Sequence, residues 1–87
     1  MYLHLGQNII VPEADVIGIF DLDNTTGSHI TRRFLGEAEK SGRIISISEE
    51  LPKSFILCGK TAEFVVYLSQ LSSQTLLKRS ESFPDKL

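Results

Sequence analysis

Apolar and polar residues alternate at the start of the chain with the two-residue period of a β-strand. Polar His4 separates two leucines, and β-branched residues resume after the turn-forming tripeptide at residues 6–8. The apolar residues stop at Pro12, which cannot donate to a strand ladder. Residues 2–11 therefore predict an N-terminal hairpin.

Residues 16–20 form an apolar run without alternation. Strands in the middle of a sheet, covered on both faces, have this composition. The run therefore predicts a central strand, and Gly18 within it allows a neighbouring backbone to pack closely.

Residues 28–41 have the period of an amphipathic helix. Thr26 or Ser28 can cap its N-terminus by accepting from the exposed amides of the first turn, and Gly42 can end it in the left-handed conformation. Apolar residues recur four positions apart and predict one stripe along the helix: Ile30, Phe34 and Ala38, with Leu35 beside them.

The rest of the chain contains three further strand patterns and one short helix. Residues 43–48 and 54–58 are separated by a short polar connection and predict a second hairpin. The dipeptide at residues 59–60 predicts a turn, and residues 63–68 predict a further strand. Ser72 can cap a short C-terminal helix.

These elements predict an α+β fold: a small, mostly antiparallel β-sheet domain with one main helix and a short C-terminal helix. Residues 1–80 are predicted to form a single domain and residues 81–87 a flexible C-terminal tail. A chain of 87 residues has a thin hydrophobic core. We therefore expect a homo-oligomer.

The composition of the chain limits the functions that it can have. Nine Lys and Arg against eleven Asp and Glu give a net charge of −2, so a nucleic-acid role would need a local basic patch. Cys58 has no second cysteine to pair with, and the two histidines provide no Cys/His zinc spacing. We expect Cys58 to be a packing residue.

The sequence contains no targeting or membrane-spanning pattern, so we expect a cytoplasmic protein without a metal, another cofactor or a membrane partner.

The string Asp21-Leu22-Asp23-Asn24-Thr25 follows the apolar run. It resembles the first motif of haloacid-dehalogenase-type phosphohydrolases, in which the first Asp attacks phosphorus and the second handles the leaving-group proton. The same residues are also turn formers and helix caps, and too little chain follows for the doubly wound sheet of those enzymes. We favour the turn, and predict no catalytic residue and no small-molecule substrate.

Arg32 and Arg33 are adjacent on the predicted helix, about 100° apart, so at least one of them faces solvent. Arg33 can alternatively pair with Glu37 one turn later. The other cationic residues matter for nucleic-acid binding only if the fold gathers them on one face. They are Lys53, Lys60, Lys78 and Arg79.

Three segments, taken in order, resemble the RemA/RemB family of bacterial extracellular matrix regulatory proteins. They are MYLHLG at the start, VIGIFDLDNTT in the middle and LSSQTLLKR near the end. Together they span most of the chain, and they account for DLDNTT without a phosphatase. The resemblance implies a domain similar to LytTR-type DNA-binding domains, which assembles into rings and activates matrix and biofilm genes by binding upstream DNA.

The resemblance also implies where DNA would bind. Arg32 matches a basic position in the family's helix, and Arg79 matches a basic residue near the end of the pattern. Arg79 is an equal candidate for packing at a subunit boundary. The implied DNA-binding residues are Arg32, Arg33, Lys53 and Arg79.

A loop that is basic in RemA-like proteins corresponds here to residues 48–53. Only Lys53 is positive in this loop, and Glu49 and Glu50 would repel phosphates. We therefore expect the contacts of each subunit to be weak and to add up through repetition around a ring.

Two other functions stay open. The oligomer could be a scaffold for other proteins, with Glu49 and Glu50 facing the partner. The phosphohydrolase hypothesis, through Asp21 and Asp23, is the third. Added salt distinguishes DNA binding from the scaffold function, because DNA binding weakens steeply with added salt and an apolar protein interface does not.

Overall fold

A computed structural model describes residues 2–22, 29–60 and 63–81. Eight elements follow one another in these ranges. They are β1 (Tyr2–Gly6), β2 (Ile9–Pro12), β3 (Val16–Asp21), α1 (His29–Lys40), β4 (Ile44–Ser46), β5 (Ser54–Lys60), β6 (Glu63–Ser69) and α2 (Ser73–Glu81). A 3-10 turn, Glu13–Asp15, joins β2 to β3. This composition confirms the predicted α+β class.

The domain has three layers around a four-stranded sheet with the strand order β3-β5-β6-β4. Neighbouring residues of β5 point to opposite faces of the sheet, so Phe55 and Ile56 belong to two different cores. Phe55 packs with Ala38 of α1 and with Val66. Ile56 packs with the β1–β2 hairpin and with α2 on the other face.

The N-terminal hairpin is confirmed, and its turn uses three residues with positive φ: Gly6, Gln7 and Asn8. One hydroxyl group fastens the hairpin to the sheet. Ser69 is fully buried, donates to the carbonyl oxygen of Leu5 at 2.7 Å, and accepts from the N–H of Leu71 at 3.0 Å. This hydroxyl therefore satisfies two backbone groups at the junction between the two layers.

Two predicted capping residues are confirmed, one at the end of α1 and one at the start of α2. Gly42 follows α1 with φ of 72°, and the Ser72 hydroxyl accepts from the N–H of Thr75 at 3.2 Å. The predicted caps Thr26 and Ser28 lie outside the described residues. In the described ranges, neither helix has the length and apolar character needed to cross a membrane.

The predicted second hairpin is wrong. β4 pairs with β6, in parallel, and β5 lies antiparallel between β3 and β6. The connection between β4 and β5 passes the end of β6, where Ile47 donates to the carbonyl oxygen of Leu68 and Lys53 donates to that of Ser69. Because α1 carries the chain from one edge of the sheet to the other, β4 reaches the far side of β6.

The prediction that residues 16–20 form a central strand is also wrong, because β3 lies at the edge of the sheet. Its apolar run reflects apolar contacts on both faces of the strand. Ile19 packs toward the hairpin, and Phe20 stacks on Phe55 with ring centroids 4.8 Å apart. The edge position leaves every residue of β3 partly or fully exposed.

One local prediction needs a smaller correction. Residues 59 and 60 both belong to β5, so the turn predicted there is wrong. A side chain on Gly59 would approach the Cα of Phe64 within 2.8 Å, so this glycine permits close strand pairing. The described part of α2 extends to Glu81, and residues 82–87 lie outside the described ranges.

The predicted apolar stripe of α1 is correct except at its first residue. Phe34, Leu35 and Ala38 contact the sheet, whereas Ile30 is 81% exposed. A spacing of four residues drifts by about 40° per step on a helix of 3.6 residues per turn. Two steps therefore place Ile30 about 80° away from Ala38, off the buried face.

Cys58 is buried in the first core, as expected of a packing residue. Burial, together with the negative charge of Asp15, raises the pKa of the Cys58 thiol to about 11. The unfolded chain loses this proton at a lower pH, near 8.5. The folded state therefore retains the proton while the unfolded state releases it, and this difference favours unfolding as the pH rises.

We expect the free energy of unfolding to fall by about 2 kcal/mol between pH 9 and pH 11 because of this thiol. Urea unfolding at several pH values measures the effect. Cys58→Ala removes the group. The difference in the free energy of unfolding between parent and variant should therefore shrink from pH 9 to pH 11 and stay constant below about pH 8. Identical pH profiles for the two proteins would contradict the assignment.

Candidate nucleic-acid interface

The two adjacent arginines lie about 100° apart on the solvent side of α1. Taking Ala38 as the centre of the buried face, Arg32 lies about 120° away in one direction and Arg33 about 140° away in the other. Arg32 therefore shares a flank with Leu35 and Glu39, and Arg33 shares the opposite flank with Ile30 and Glu37. We call these the Arg32 flank and the Arg33 flank.

The Arg33 side chain forms the predicted ion pair along the helix. Its Nε lies 4.0 Å from a carboxylate oxygen of Glu37, and the two side chains are 84% and 74% exposed. Water screens such a pair, which contributes a few tenths of a kcal/mol at most. Arg33 is thus already next to a negative charge.

The Arg32 flank borders a shallow groove of about 300 Å³. Its walls come from α1, from β4 and from the connection that precedes β5. The lining residues are Leu22, Leu35, Gly36, Glu39, Ile44, Ser46, Pro52 and Leu68. Arg32 is exposed one helical turn before Leu35 and Gly36, two residues that line this groove.

Lys53 directly follows Pro52, which lines the same groove, and its side chain is exposed. Two backbone hydrogen bonds fix its position. Its N–H donates to Ser69 at 2.8 Å, and its carbonyl oxygen accepts from Leu22 at 3.0 Å. Arg32 and Lys53, which are far apart in the sequence, are therefore each close along the chain to residues that line one groove.

Carboxylates border the neighbouring part of this surface. Glu49 and Glu50 are exposed, and the Glu50 N–H donates to the Ser48 hydroxyl at 3.0 Å. A second concavity, of about 590 Å³, lies under this loop and shares Ser46, Pro52 and Leu68 with the groove. A polyanion would thus be attracted by Arg32 and Lys53 and repelled by Glu49 and Glu50, and also by Glu39, which lines the groove itself.

Arg79 lies on the other side of the molecule. It is carried by α2, which packs with the hairpin on the sheet face opposite to α1. Its guanidinium donates to the carbonyl oxygen of His4 at 3.1 Å. Arg79 therefore links α2 to β1 and is separated from Arg32 by the thickness of the sheet.

The residues of the phosphohydrolase hypothesis are only partly described. Asp21 is the last residue of β3, whose neighbour in the sheet is antiparallel, and Asp23 lies outside the described residues. In the parts of the chain that are described, no three His, Cys, Asp or Glu side chains come close enough to hold a metal ion. An antiparallel edge is not the parallel doubly wound arrangement that this chemistry uses.

Sequence reasoning missed the groove and two prominent apolar residues. Leu51 is 87% exposed in the acidic loop, and Ile30 is exposed on the Arg33 flank. The drift of the helical period could have placed Ile30 correctly. The groove had no local signal, because its walls come from segments that meet only in the folded chain.

Comparison with known proteins identifies the family. A family model described as RemA-like, Extracellular matrix regulatory protein A-like, matches residues 2–79. The chain belongs to the RemA-like family. It is similar to the Extracellular matrix regulatory protein B of Bacillus subtilis (strain 168), with 33% identity over 81 residues that cover 93% of this chain and 91% of that protein. The resemblance found in the three segments is thereby confirmed, and the RemA-like match includes Arg32, Lys53 and Arg79.

Proposed function

We propose that this RemA-like chain is a homo-oligomeric, DNA-binding regulator of extracellular matrix and biofilm genes in the bacterial cytoplasm. Family membership supports the regulatory role, because the similar Bacillus subtilis protein has the name Extracellular matrix regulatory protein B. DNA binding is supported by the exposure of Arg32 and Lys53 and by their closeness along the chain to residues that line one groove, Leu35 and Gly36 for Arg32 and Pro52 for Lys53. The proposed activity is binding and has no catalytic step.

Each subunit would make only a few phosphate contacts. Arg32 supplies a planar guanidinium and Lys53 a flexible ammonium, and both groups suit phosphate oxygens. Glu49 and Glu50 limit the strength of a single contact. Repetition of the groove around an oligomer raises the total affinity through effective concentration, so a weak site per subunit suffices.

The position of Arg79 supports a structural role instead of DNA binding. Its hydrogen bond to His4 holds α2 against the hairpin, and it faces away from the groove. We propose that Arg79 stabilises this layer and that DNA contacts come mainly from Arg32 and Lys53.

A scaffold for other proteins is the second candidate, and one observation favours it. Leu51 is 87% exposed between an acidic pair and Pro52, a combination that suits a partner with a basic and apolar surface. Such a complex would have a weaker dependence on salt than a complex with DNA.

The test is DNA retention by the purified protein at low and at moderate salt, with native mass measured on the same samples. Upstream fragments of matrix genes and random-sequence fragments of equal length are compared. If about six or more phosphates are neutralised, the affinity should fall about a thousandfold between about 50 and about 200 mM salt. Absence of retention at both salt concentrations would contradict DNA binding and favour the scaffold.

A further inference from the structure

The outer edge of β4 can accept another strand. Among the described residues, β4 is the last strand on its side of the sheet. The carbonyl oxygen of Arg43 accepts from β6 and the N–H of Ile47 donates to β6, so alternation along the strand directs the backbone groups of Ile44 and Ser46 away from the sheet. The strand contains neither lysine nor proline, which commonly protect edge strands from pairing.

The concavity of about 590 Å³ under the acidic loop adjoins this edge, because Ser46 of β4 lines it. Four apolar residues line it as well: Ile47, Leu51, Pro52 and Leu68. Leu51 is 87% exposed, so a large apolar side chain stands in solvent beside an unpaired strand. An open concavity with apolar walls suits the side chains of a bound segment.

The loop that forms this concavity is held at both ends. The N–H groups of Ile47 and Lys53 donate to carbonyl oxygens at the end of β6, at 3.0 and 2.8 Å. Pro52 restricts the residue before it, Leu51, to extended backbone angles. Because the loop is already fixed, a partner would bind it at a small cost in conformational entropy.

The charges on this surface favour a basic segment of another protein. Glu49 and Glu50, both exposed, are the charged residues that line the concavity. They attract cationic side chains and repel the phosphates of DNA. A two-fold contact of this patch with itself would bring four carboxylates together, so the patch is not self-complementary.

We propose that an extended segment of a partner protein, with alternating basic and apolar residues, adds as a strand to the outer edge of β4. Its backbone pairs with Ile44 and Ser46. Its apolar side chains cover Leu51, and its basic side chains face Glu49 and Glu50. In this mode of recognition, main-chain hydrogen bonds supply affinity and side chains supply specificity. The proposal goes beyond DNA binding and does not require it.

A fluorescein-labelled peptide that alternates lysine and valine is the probe, and its fluorescence anisotropy is measured with the full chain in the absence of DNA. We expect a dissociation constant below about 1 mM. The same peptide methylated on every backbone nitrogen keeps its side chains but loses the donors for strand pairing, so it should bind at least about tenfold more weakly. No binding by the first peptide, or equal binding by the two, would overturn the proposal.

Glu50→Lys tests the position of the site. The side chain is exposed, so the subunit should fold, and reversing its charge should raise the dissociation constant of the lysine–valine peptide by about tenfold. Glu63→Lys is the matched control, because it makes the same change in an exposed residue at the other end of β6. It should change the dissociation constant by less than about twofold. Equal weakening by the two variants would contradict the site.

Analytical ultracentrifugation of the parent and of Glu50→Lys distinguishes a partner segment from a second copy of this chain. We expect the same native mass for both proteins. A native mass that changes in Glu50→Lys would assign this edge to another copy and overturn the proposal. Since these assays contain no DNA, their failure would leave the proposed function standing, and a parent that retains no DNA would leave this proposal standing.

Discussion

Replacing Leu76 by Ala is expected to destabilise the fold by about 3 kcal/mol. Leu76 of α2 is fully buried and packs in the first core with both strands of the hairpin and with Ile56. Truncation removes its transfer free energy and leaves a cavity between three elements. Because domains of this kind have total stabilities of about 5 to 15 kcal/mol, the loss is a large fraction.

Leu77→Ala is the matched control for this prediction. Leu77 is the next residue of the same helix and is 45% exposed, so its truncation should cost less than about 1 kcal/mol. Urea unfolding at one fixed protein concentration compares the two variants, since the stability of an oligomer depends on concentration. Equal unfolding midpoints would contradict the packing of α2 described above.

The sequence predicted those parts of the fold that depend on neighbouring residues. The turn at residues 6–8, the cap at Ser72 and the terminator Gly42 all act within a few positions of the chain. These features can be predicted because each one forms backbone hydrogen bonds, or adopts the required backbone angles, within a few residues of the chain. The ion pair of Arg33 with Glu37 is local in the same way.

The strand order could not be predicted from such signals. The polar connection between β4 and β5 fits a hairpin as well as it fits the observed path past the end of β6. The choice depends on α1, which packs across the sheet and carries the chain to the β4 edge. The same limit applies to β3, whose composition indicated two covered faces but not its place at an edge.

The candidate site was predicted residue by residue but not as an arrangement. The sequence indicated Arg32, Arg33, Lys53 and Arg79 as one set. The fold instead places Arg79 on the other side of the sheet from α1, while Arg32 and Arg33 lie about 100° apart on the solvent side of that helix. Arg32 and Lys53 are the two residues of this set that we assign to the groove.

Removing both cations of the groove is expected to abolish most DNA affinity. The double variant Arg32→Ala/Lys53→Ala removes two positive charges from every subunit, and the slope of log K against log salt should become shallower by about one for each phosphate that is no longer neutralised. Both side chains are exposed, so the fold and the native mass should be unchanged. Filter retention or fluorescence anisotropy over a series of salt concentrations measures the slope.

The comparison of Arg32→Ala with Lys78→Ala tests the central claim most directly. Each variant removes one exposed positive charge, from the groove in the first case and from α2 on the opposite face in the second. We predict a shallower salt slope and weaker DNA binding for Arg32→Ala, with the parent's slope retained by Lys78→Ala. The same slope and affinity in the two variants would contradict the assignment of DNA binding to the groove beside α1.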